Sequence, residues 1–600
     1  MNRCCDVSSR QFRHLLSIAT RQPVRHVIHR RVFQRSNVQN NVPRSLSSTS
    51  SSQIVPRSST PLSLPSKSAL HSPADTIFAL STPPGRAAIA IIRISGPSVL
   101  KIYTALCPTL PFPRPRNATV RTLYHPASTT TVLDPSALLL SFPPNQSLTG
   151  EQLLELHVHG SPAIVRAVLR AIPCTEGVRY AEPGEFTRRA LLAGRLDVTQ
   201  AEALGAVLAA ETEVQRATAV RGAQGVLGRE YENWRGRLVE ARGELEALID
   251  FAEDQQFEEP AEVLVANVRA QVRVLRELVG TSVANAARGR LLRDGILVTV
   301  LGRPNAGKSS LLNVLAGRDA AIVSNVAGTT RDIVEIGIDL EGWLVRFGDT
   351  AGLRSKVVGS ADIDTIEQEG MKRAIQRAEE SDVAIFLVDA TNDSNGLQAE
   401  IPEDLIKAAK ICIERKVSLI VALNKVDVAQ KQGESQQEGL RSILDTLRKS
   451  IYEQLNLDYK TVPFVAISCT QAASSQLSIQ EESGIKDLHF ALTSTFKKMT
   501  TALEPSADPA DSVFAQMQPD MSLWQDSLGT TERQRLLLQE CTTHLDEFLD
   551  LTSAPTVDEA SVDVVLAAES LRSAANCLGR ITGRGDAGDV EDVLGVVFEK

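Results

Sequence analysis

The 600-residue chain is poor in aromatic side chains, at 4%, and it has no apolar run near the roughly 18–20 residues that cross a bilayer. Its best apolar stretches, Ala384–Val388 and Leu419–Leu423, have the length of buried strands, so no stable membrane insertion is expected. Eight cysteines show no Cys-x-x-Cys spacing and no Cys/His cluster of metal-ligand type, which argues against a structural zinc or a disulfide framework and for a reducing compartment. Acid is almost missing from residues 1–73, where eleven Arg and Lys side chains meet only Asp6 and serine is dense from Ser45 to Ser68. That composition is the transit-peptide pattern, with a basic disordered tail as the alternative, and its arginine density favours a mitochondrial (matrix) destination. Taking those eleven from 64 basic residues leaves 53 against 71 acidic ones, once Asp6 is taken from 72. The remainder is a polyanion that repels phosphate backbones, so a nucleic-acid substrate would need a basic partner to hold it.

What is present falls into modules. Ile77–Leu80, Ala87–Ile94, Leu138–Ser141 and Leu153–Val158 read as β-branched or apolar strands of an N-terminal α+β domain, residues 74–193. Residues 194–293 change to an Ala/Leu/Glu/Arg texture in which Leu238, Leu245, Leu248 and Ile249 recur at helical spacing. Strands then return at Ile296–Leu301, Leu344–Phe347, Ala384–Val388, Leu419–Leu423 and Phe464–Ile467, each followed by a helical stretch, which predicts a doubly wound, mostly parallel sheet over residues 294–500. A Pro/Ser/Asp-rich linker, 501–520, leads to helices again in 521–600. The fold class is therefore multidomain α/β and α+β, with two helical stretches that flank the strand-rich insert and can pack as one domain.

The insert carries the chemistry. Gly302-Arg303-Pro304-Asn305-Ala306-Gly307-Lys308-Ser309 fits G-x-x-x-x-G-K-[ST] between a strand and a helix. There the glycines turn backbone N–H groups toward phosphate, Lys308 neutralises its oxygens and Ser309 offers a hydroxyl to Mg²⁺. Asp349-Thr350-Ala351-Gly352 ends a strand, where a carboxylate can hold the metal's water shell and Gly352 can meet the γ-phosphate. Asn424-Lys425-Val426-Asp427 ends another, and its carboxylate accepts both N1–H and the exocyclic amine of guanine, a pair adenine cannot supply. Ser468-Cys469-Thr470 can add base contacts, with a plain loop as the alternative. In the switch-like loop from Ser324 to Asp332, Thr330 is assigned to Mg²⁺ beside Thr329. The GTP-binding set is thus Asn305, Ala306, Gly307, Lys308, Ser309 and Ser310; Ser324, Thr329 and Thr330; Asp349, Thr350, Ala351 and Gly352; Asn424, Lys425 and Asp427; and Ser468, Cys469 and Thr470.

Leu353 stands where Ras-like enzymes carry the glutamine that orients water, so hydrolysis needs other help. Asn305 can ligate a monovalent cation, and Glu367 can position the water through a second one. Their alternatives are an ordinary helix-start neighbour and a solvated carboxylate. Glu367, Lys308 and Thr329 form the expected catalytic set.

Gly302–Leu312, Gly328–Asp332 and Asp349–Arg354, taken with Thr82–Arg86, Arg93–Gly96, Thr149–Glu151, Leu154–Leu156, His159-Gly160 and Pro183–Phe186, resemble the MnmE or TrmE family of tRNA-modification GTPases over nearly everything after residue 73. The resemblance implies a GTPase domain inserted into a helical domain, K⁺ held by Asn305, Ser324, Val326 and Thr329, and water positioned by Glu367. It also implies an N-terminal domain that dimerises and binds 5,10-methylene- or 5-formyl-tetrahydrofolate, with Arg93, Glu155 and Arg195 as contacts. The plainer readings are an Arg93–Glu155 ion pair and a solvated Arg195; a metal at His157 and His159 lacks further ligands. The reaction implied is modification at C5 of the wobble uridine (U34) of mitochondrial tRNAs, with an FAD-containing MnmG-type partner.

The chain stops at Val597–Lys600, just where the family's Phe-Cys-x-Gly-Lys tail begins, and Cys577 is too far upstream to replace its cysteine. A truncated gene model is the favoured reading over a loss of modifying activity. The competing functional class is an organellar ribosome-assembly GTPase switch, which would normally carry a basic RNA-binding appendage; a nonenzymatic scaffold is a third.

Overall fold

The computed structural model describes residues 75–174, 177–251, 261–303, 305–317, 322–325, 336–347, 376–393, 396–398, 401–427, 437–455, 462–474, 483–505, 522–553 and 563–584. The expected leader, the linker core and the chain's last residues lie outside them.

Period-two patterning builds the first domain. In β2 (Ile89–Ser95), Ala90, Ile92 and Ile94 are buried; in β5 (Leu153–His159), Leu154, Leu156 and Val158 are. These faces pack on α1 (Val99–Leu106) and α2 (Pro162–Ala171). With β1 (Thr76–Leu80), β3 (Thr119–His125), β4 (Ser128–Phe142) and β6 (Val178–Tyr180), they form a six-stranded sheet of order β3-β4-β5-β2-β1-β6, antiparallel except for β1/β6. Because neighbours alternate, Arg93, Glu155, His157 and His159 share the face turned away from this core.

Helices follow at α3 (Glu185–Leu192), α4 (Val198–Ala209), α5 (Glu213–Ala223), α6 (Val226–Phe251) and α7 (Ala261–Asp294). Capping boxes start two of them: Asp197 with Gln200, and Thr212 with Gln215.

The inserted domain is a seven-stranded sheet of order β15-β14-β11-β7-β10-β9-β8, made of β7 (Ile296–Gly302), β8 (Ile322–Asn325), β9 (Ile336–Leu340), β10 (Trp343–Phe347), β11 (Val383–Asp389), β14 (Ser418–Asn424) and β15 (Phe464–Ala466). A small hairpin, β12 (Thr391–Asp393) with β13 (Gly396–Gln398), stands apart. Strands β11 and β14 are buried on both faces, as a parallel sheet covered by helices requires. Those helices include α8 (Lys308–Gly317), α9 (Glu403–Glu414), α10 (Gln437–Leu455) and α12 (Ile485–Thr500), with a short α11 (Cys469–Ala472) between the last two. The expected strand-then-helix alternation is broken where the β12/β13 hairpin follows β11 directly and where β8, β9 and β10 run in succession. Strands β9 and β10 form an antiparallel hairpin whose turn residues, Glu341 and Gly342, both have positive φ, the two-residue geometry that matches strand twist.

After α13 (Ser522–Asp526) the chain rejoins the helices in α14 (Glu532–Leu551) and α15 (Val564–Thr582). One core unites both halves: Tyr231, Trp234 and Leu238 of α6, Val272 and Leu275 of α7, Leu538 and Phe548 of α14, Leu571 and Leu578 of α15. The strand-rich domain, the G domain of the expectation above, is thus an insertion into a single bundle. Its root is pinned where buried Asn285 of α7 donates from Nδ2 to the Leu503 carbonyl at 2.9 Å and accepts from the Leu503 N–H at 2.7 Å.

Close approach at this root makes one glycine irreplaceable. A Cβ on Gly289 would lie 1.8 Å from the Leu528 carbonyl oxygen, whereas one on exposed Gly243 of α6 would meet nothing within 4 Å. Gly289→Ala is expected to destabilise the helical domain by about 1–3 kcal/mol, the usual overpacking range, while Gly243→Ala stabilises it by roughly 0.5–1 kcal/mol through helix propensity. Thermal unfolding of the two variants checks this, and equal melting temperatures would contradict it.

Candidate nucleotide site

Four strand ends build the pocket. Gly302, Asp389, Asn424 and Ala466 close the carboxyl ends of β7, β11, β14 and β15 on one edge of the sheet, where open α/β sheets bind ligands. A Cβ on Gly302 would stand 2.4 Å from the Leu387 carbonyl, so only glycine lets β7 approach β11 this closely.

Past β7 the chain turns through two left-handed residues, Asn305 (φ 63°) and Gly307 (φ 103°), before α8 begins at Lys308. Successive amides in such turns point into a common concavity that attracts anions, and the N-terminus of α8 adds its dipole. The Lys308 ammonium is held by the carbonyls of Gly302 and Arg303 at 2.8 and 2.9 Å, on the same loop. Ser309 and Ser310 occupy the first turn of α8.

Asn424, 2% exposed, ties this loop to the rest. Its Nδ2 donates to the Ala306 carbonyl at 2.7 Å and its Oδ1 accepts the Cys469 N–H at 3.2 Å. A Cβ on Gly307 would stand 2.2 Å from that Nδ2, so the second glycine of the loop is also required by the clip. Next to it, left-handed Lys425 reaches Asp389 Oδ2 at 3.0 Å. Asp427 Oδ1 accepts the Ser468 hydroxyl at 2.7 Å, and Ser468 also caps α11 through Gln471 N–H. The segment read as either base-contacting or plain loop is thus a capped helical turn. Burial pushes the Cys469 thiol up to about 11, against a hydrogen bond to Asn424 that lowers it, so it is an inert wall rather than a nucleophile.

These segments enclose about 660 Å³, lined by Asn305, Gly307, Lys425, Asp427 and Thr470 among others. That volume suits a nucleotide-sized ligand. Asn313 and Val314 also line it, and sequence reasoning missed them; they follow Ser310 at i+3 and i+4 on α8, a spacing that puts all three on one helix face. Ala472 and Ala473 were missed as well, since small apolar residues carry no motif. Ser324 lies on β8, in the edge strand farthest from β15. Val326, Thr329, Thr330, Asp349, Thr350, Ala351, Gly352, Leu353 and Glu367 lie outside the described residues.

On the first domain's open face, β2/β5 register sets Arg93 opposite Glu155, and both Nε and Nη2 donate to Glu155 Oε1 at 3.0 and 2.9 Å. The guanidinium also lies over the Phe186 ring, 5.8 Å from its centroid. His157 Nε2 is buried without a hydrogen-bond partner, 3.5 Å from Glu155 Oε2. Arg195 is exposed and donates instead to the Asn145 carbonyl. Nearby, Glu151 and Glu185 converge on Arg189, while Arg179 joins Asp75 and Glu185. Burial alone would raise the Glu185 carboxyl, but the Arg179 and Arg189 guanidiniums hold it below the usual range, so these motif glutamates are structural anchors. His159 is oriented by buried Asp134 at 2.9 Å, a local pair rather than a metal site.

Residues 76–195 match the family model for the GTP-binding protein TrmE N-terminus, and residues 198–600 match the model for the MnmE helical domain. The chain is 37% identical to tRNA modification GTPase MnmE of Rhodopseudomonas palustris, covering 88% of this chain and 99% of the relative. It is 35% identical to the mitochondrial tRNA modification GTPase mss1 of Schizosaccharomyces pombe, covering 88% and 94%. It is also 35% identical to the mitochondrial 5-taurinomethyluridine tRNA synthase subunit of Danio rerio, covering 87% and 92%. With both flanking domains matched and the relatives spanned almost end to end, the chain belongs to the MnmE/TrmE family of tRNA-modification GTPases.

Proposed function

We propose that this protein hydrolyses GTP in its inserted domain and uses that cycle to modify C5 of the wobble uridine of mitochondrial tRNAs. The observation that carries the reading is Asp427, fixed by Ser468 at the pocket beside the phosphate loop, in a chain whose relatives are named tRNA modification GTPases. A carboxylate held there pairs with N1–H and the amino group of guanine and leaves adenine mismatched. The backbone cradle from Asn305 to Ser310 and Lys308 would hold the phosphates, with Ser309 and Thr330 on Mg²⁺ and Asp349 to Gly352 at the γ-phosphate. Asn305, already left-handed and exposed at the pocket, fits a K⁺ ligand together with Ser324, Val326 and Thr329. Glu367 takes the water-positioning role that Leu353 cannot.

The first domain (74–193) is assigned to tetrahydrofolate. The reading is supported by Glu155 Oε2, which the Arg93 hydrogen bonds do not engage and which has His157 Nε2 beside it at 3.5 Å, on the sheet face turned away from the core. Arg93, Glu155 and Arg195 would hold the folate, which when bound supplies a one-carbon unit. The same domain is assigned to homodimerisation, residues 194–293 and 521–600 to the helical scaffold, 501–520 to a linker, and 1–73 to a mitochondrial leader. An FAD-containing MnmG-type partner supplies the remaining chemistry and helps hold tRNA against an acidic surface. Coupling is supported by the β9–β10 turn, whose Gly342 carbonyl accepts the Val214 N–H of α5 at 3.3 Å and so ties the G domain to the scaffold.

Mass spectrometry of mitochondrial tRNA from a deletion strain is expected to find unmodified wobble uridine; intact modification would overturn the function. GTP turnover is expected to rise when K⁺ replaces Na⁺, and Glu367→Ala to slow it while leaving GTP affinity largely intact. Equal rates in both salts would remove the cation, and lost affinity would make Glu367 structural.

A further inference from the structure

Far along the chain from both sites, the helical bundle brings three different metal-binding side chains together. Glu540 and His544 stand at i and i+4 on α14, hence on one helix face, and Cys577 arrives from α15, packed alongside. Their carboxylate, imidazole and thiol donor atoms all lie within 4.8 Å of one another. No sequence spacing announces this, because the cysteine comes from a separate helix.

The surroundings suit a ligand. Cys577 is 3% exposed while Glu540 is half exposed, so the thiol forms the floor of a cluster open to solvent on one side. Glu547 holds His544 Nδ1 at 3.0 Å. A carboxylate on one ring nitrogen fixes the tautomer and leaves the other as a lone-pair donor, the arrangement that orients metal-bound histidines. Arg580 approaches Glu540 Oε2 at 3.5 Å, leaving the other carboxylate oxygen outside that ion pair.

We propose that Glu540, His544 and Cys577 form a divalent metal site of the zinc class, with a fourth position open to water. The donor set decides the metal: Ca²⁺ and Mg²⁺ take oxygen ligands, whereas a thiolate with an imidazole and one carboxylate suits Zn²⁺. Bond lengths of about 2.0–2.3 Å require the three donors to draw inward slightly, which the half-exposed Glu540 side chain and the partly exposed His544 permit. Binding converts the Cys577 thiol to thiolate and releases its proton to solvent. The metal would staple α14 to α15, two helices in the half of the bundle laid down after the G domain.

Titration of the full chain with Co²⁺ as a spectroscopic probe tests this. One ion per chain is expected, with a thiolate-to-cobalt charge-transfer band in the near ultraviolet that Zn²⁺ abolishes on displacement. Cys577→Ser removes the band, Cys541→Ser keeps it, and Glu547→Gln weakens affinity by roughly 10–100-fold. No thiolate band in the wild type, or a band that survives Cys577→Ser, overturns the proposal. If Cys577→Ser fails to fold, His544→Ala, which leaves the core intact, decides: unchanged cobalt affinity there also overturns it.

Discussion

The Asn424 side chain is the constraint on which the nucleotide pocket depends. From the end of one strand it reaches under the phosphate loop to the Ala306 carbonyl and across to the Cys469 amide. Three segments far apart in sequence thereby share one buried amide group, and removing it would strand a buried donor and a buried acceptor. The clip also explains Gly307 twice over: its backbone is left-handed and its missing Cβ is the space Asn424 occupies. Around it, each polar group orients another, with Lys425 on Asp389 and Asp427 on Ser468.

The bundle beneath is incomplete until the chain returns from the G domain. Helices α6 and α7 expose the faces that α14 and α15 later cover, and the ties across the insertion have large sequence separations, such as Arg533 to Glu202 at 2.7 Å and Asn285 to Leu503. Forming such contacts costs the loop-closure entropy of the long intervening segment. The topology also couples the two domains mechanically, because the segments that enter and leave the insert are themselves structural members of the bundle.

How much of this could be read in advance follows from what each residue must do. That the Gly302–Ser309 and Asn424–Asp427 segments follow strands and line one pocket was legible, because each is a motif of fixed residue types and spacing. The central strands were legible because burial on both faces demands continuous apolar runs, as in β11 and β14. Edge strands β8 and β9 were not read: Ile336, Ile338 and Leu340 alternate at strand period, but the run is short and is interrupted by Gly337 and Asp339, both poor strand formers, and pairing with β10 fixes it. The Arg93–Glu155 pair was anticipated only as an alternative to ligand binding, and β2/β5 register produces it. The Arg179, Arg189 and Glu202 networks were invisible, because long-range ion pairs leave no periodicity.

The proposed GTPase cycle rests on guanine selection by Asp427, which Ser468 and the Asn424 clip brace beside the phosphate loop. Equilibrium binding of GDP, ADP and xanthosine diphosphate to the wild type and to Asp427→Asn tests it most directly. The wild type should bind GDP far more tightly than the other two. The variant should lose GDP and gain the xanthine nucleotide, whose carbonyl replaces the guanine amine and accepts from the new amide. Comparable affinity of the wild type for ADP, or GDP binding unchanged by Asp427→Asn, would contradict the account.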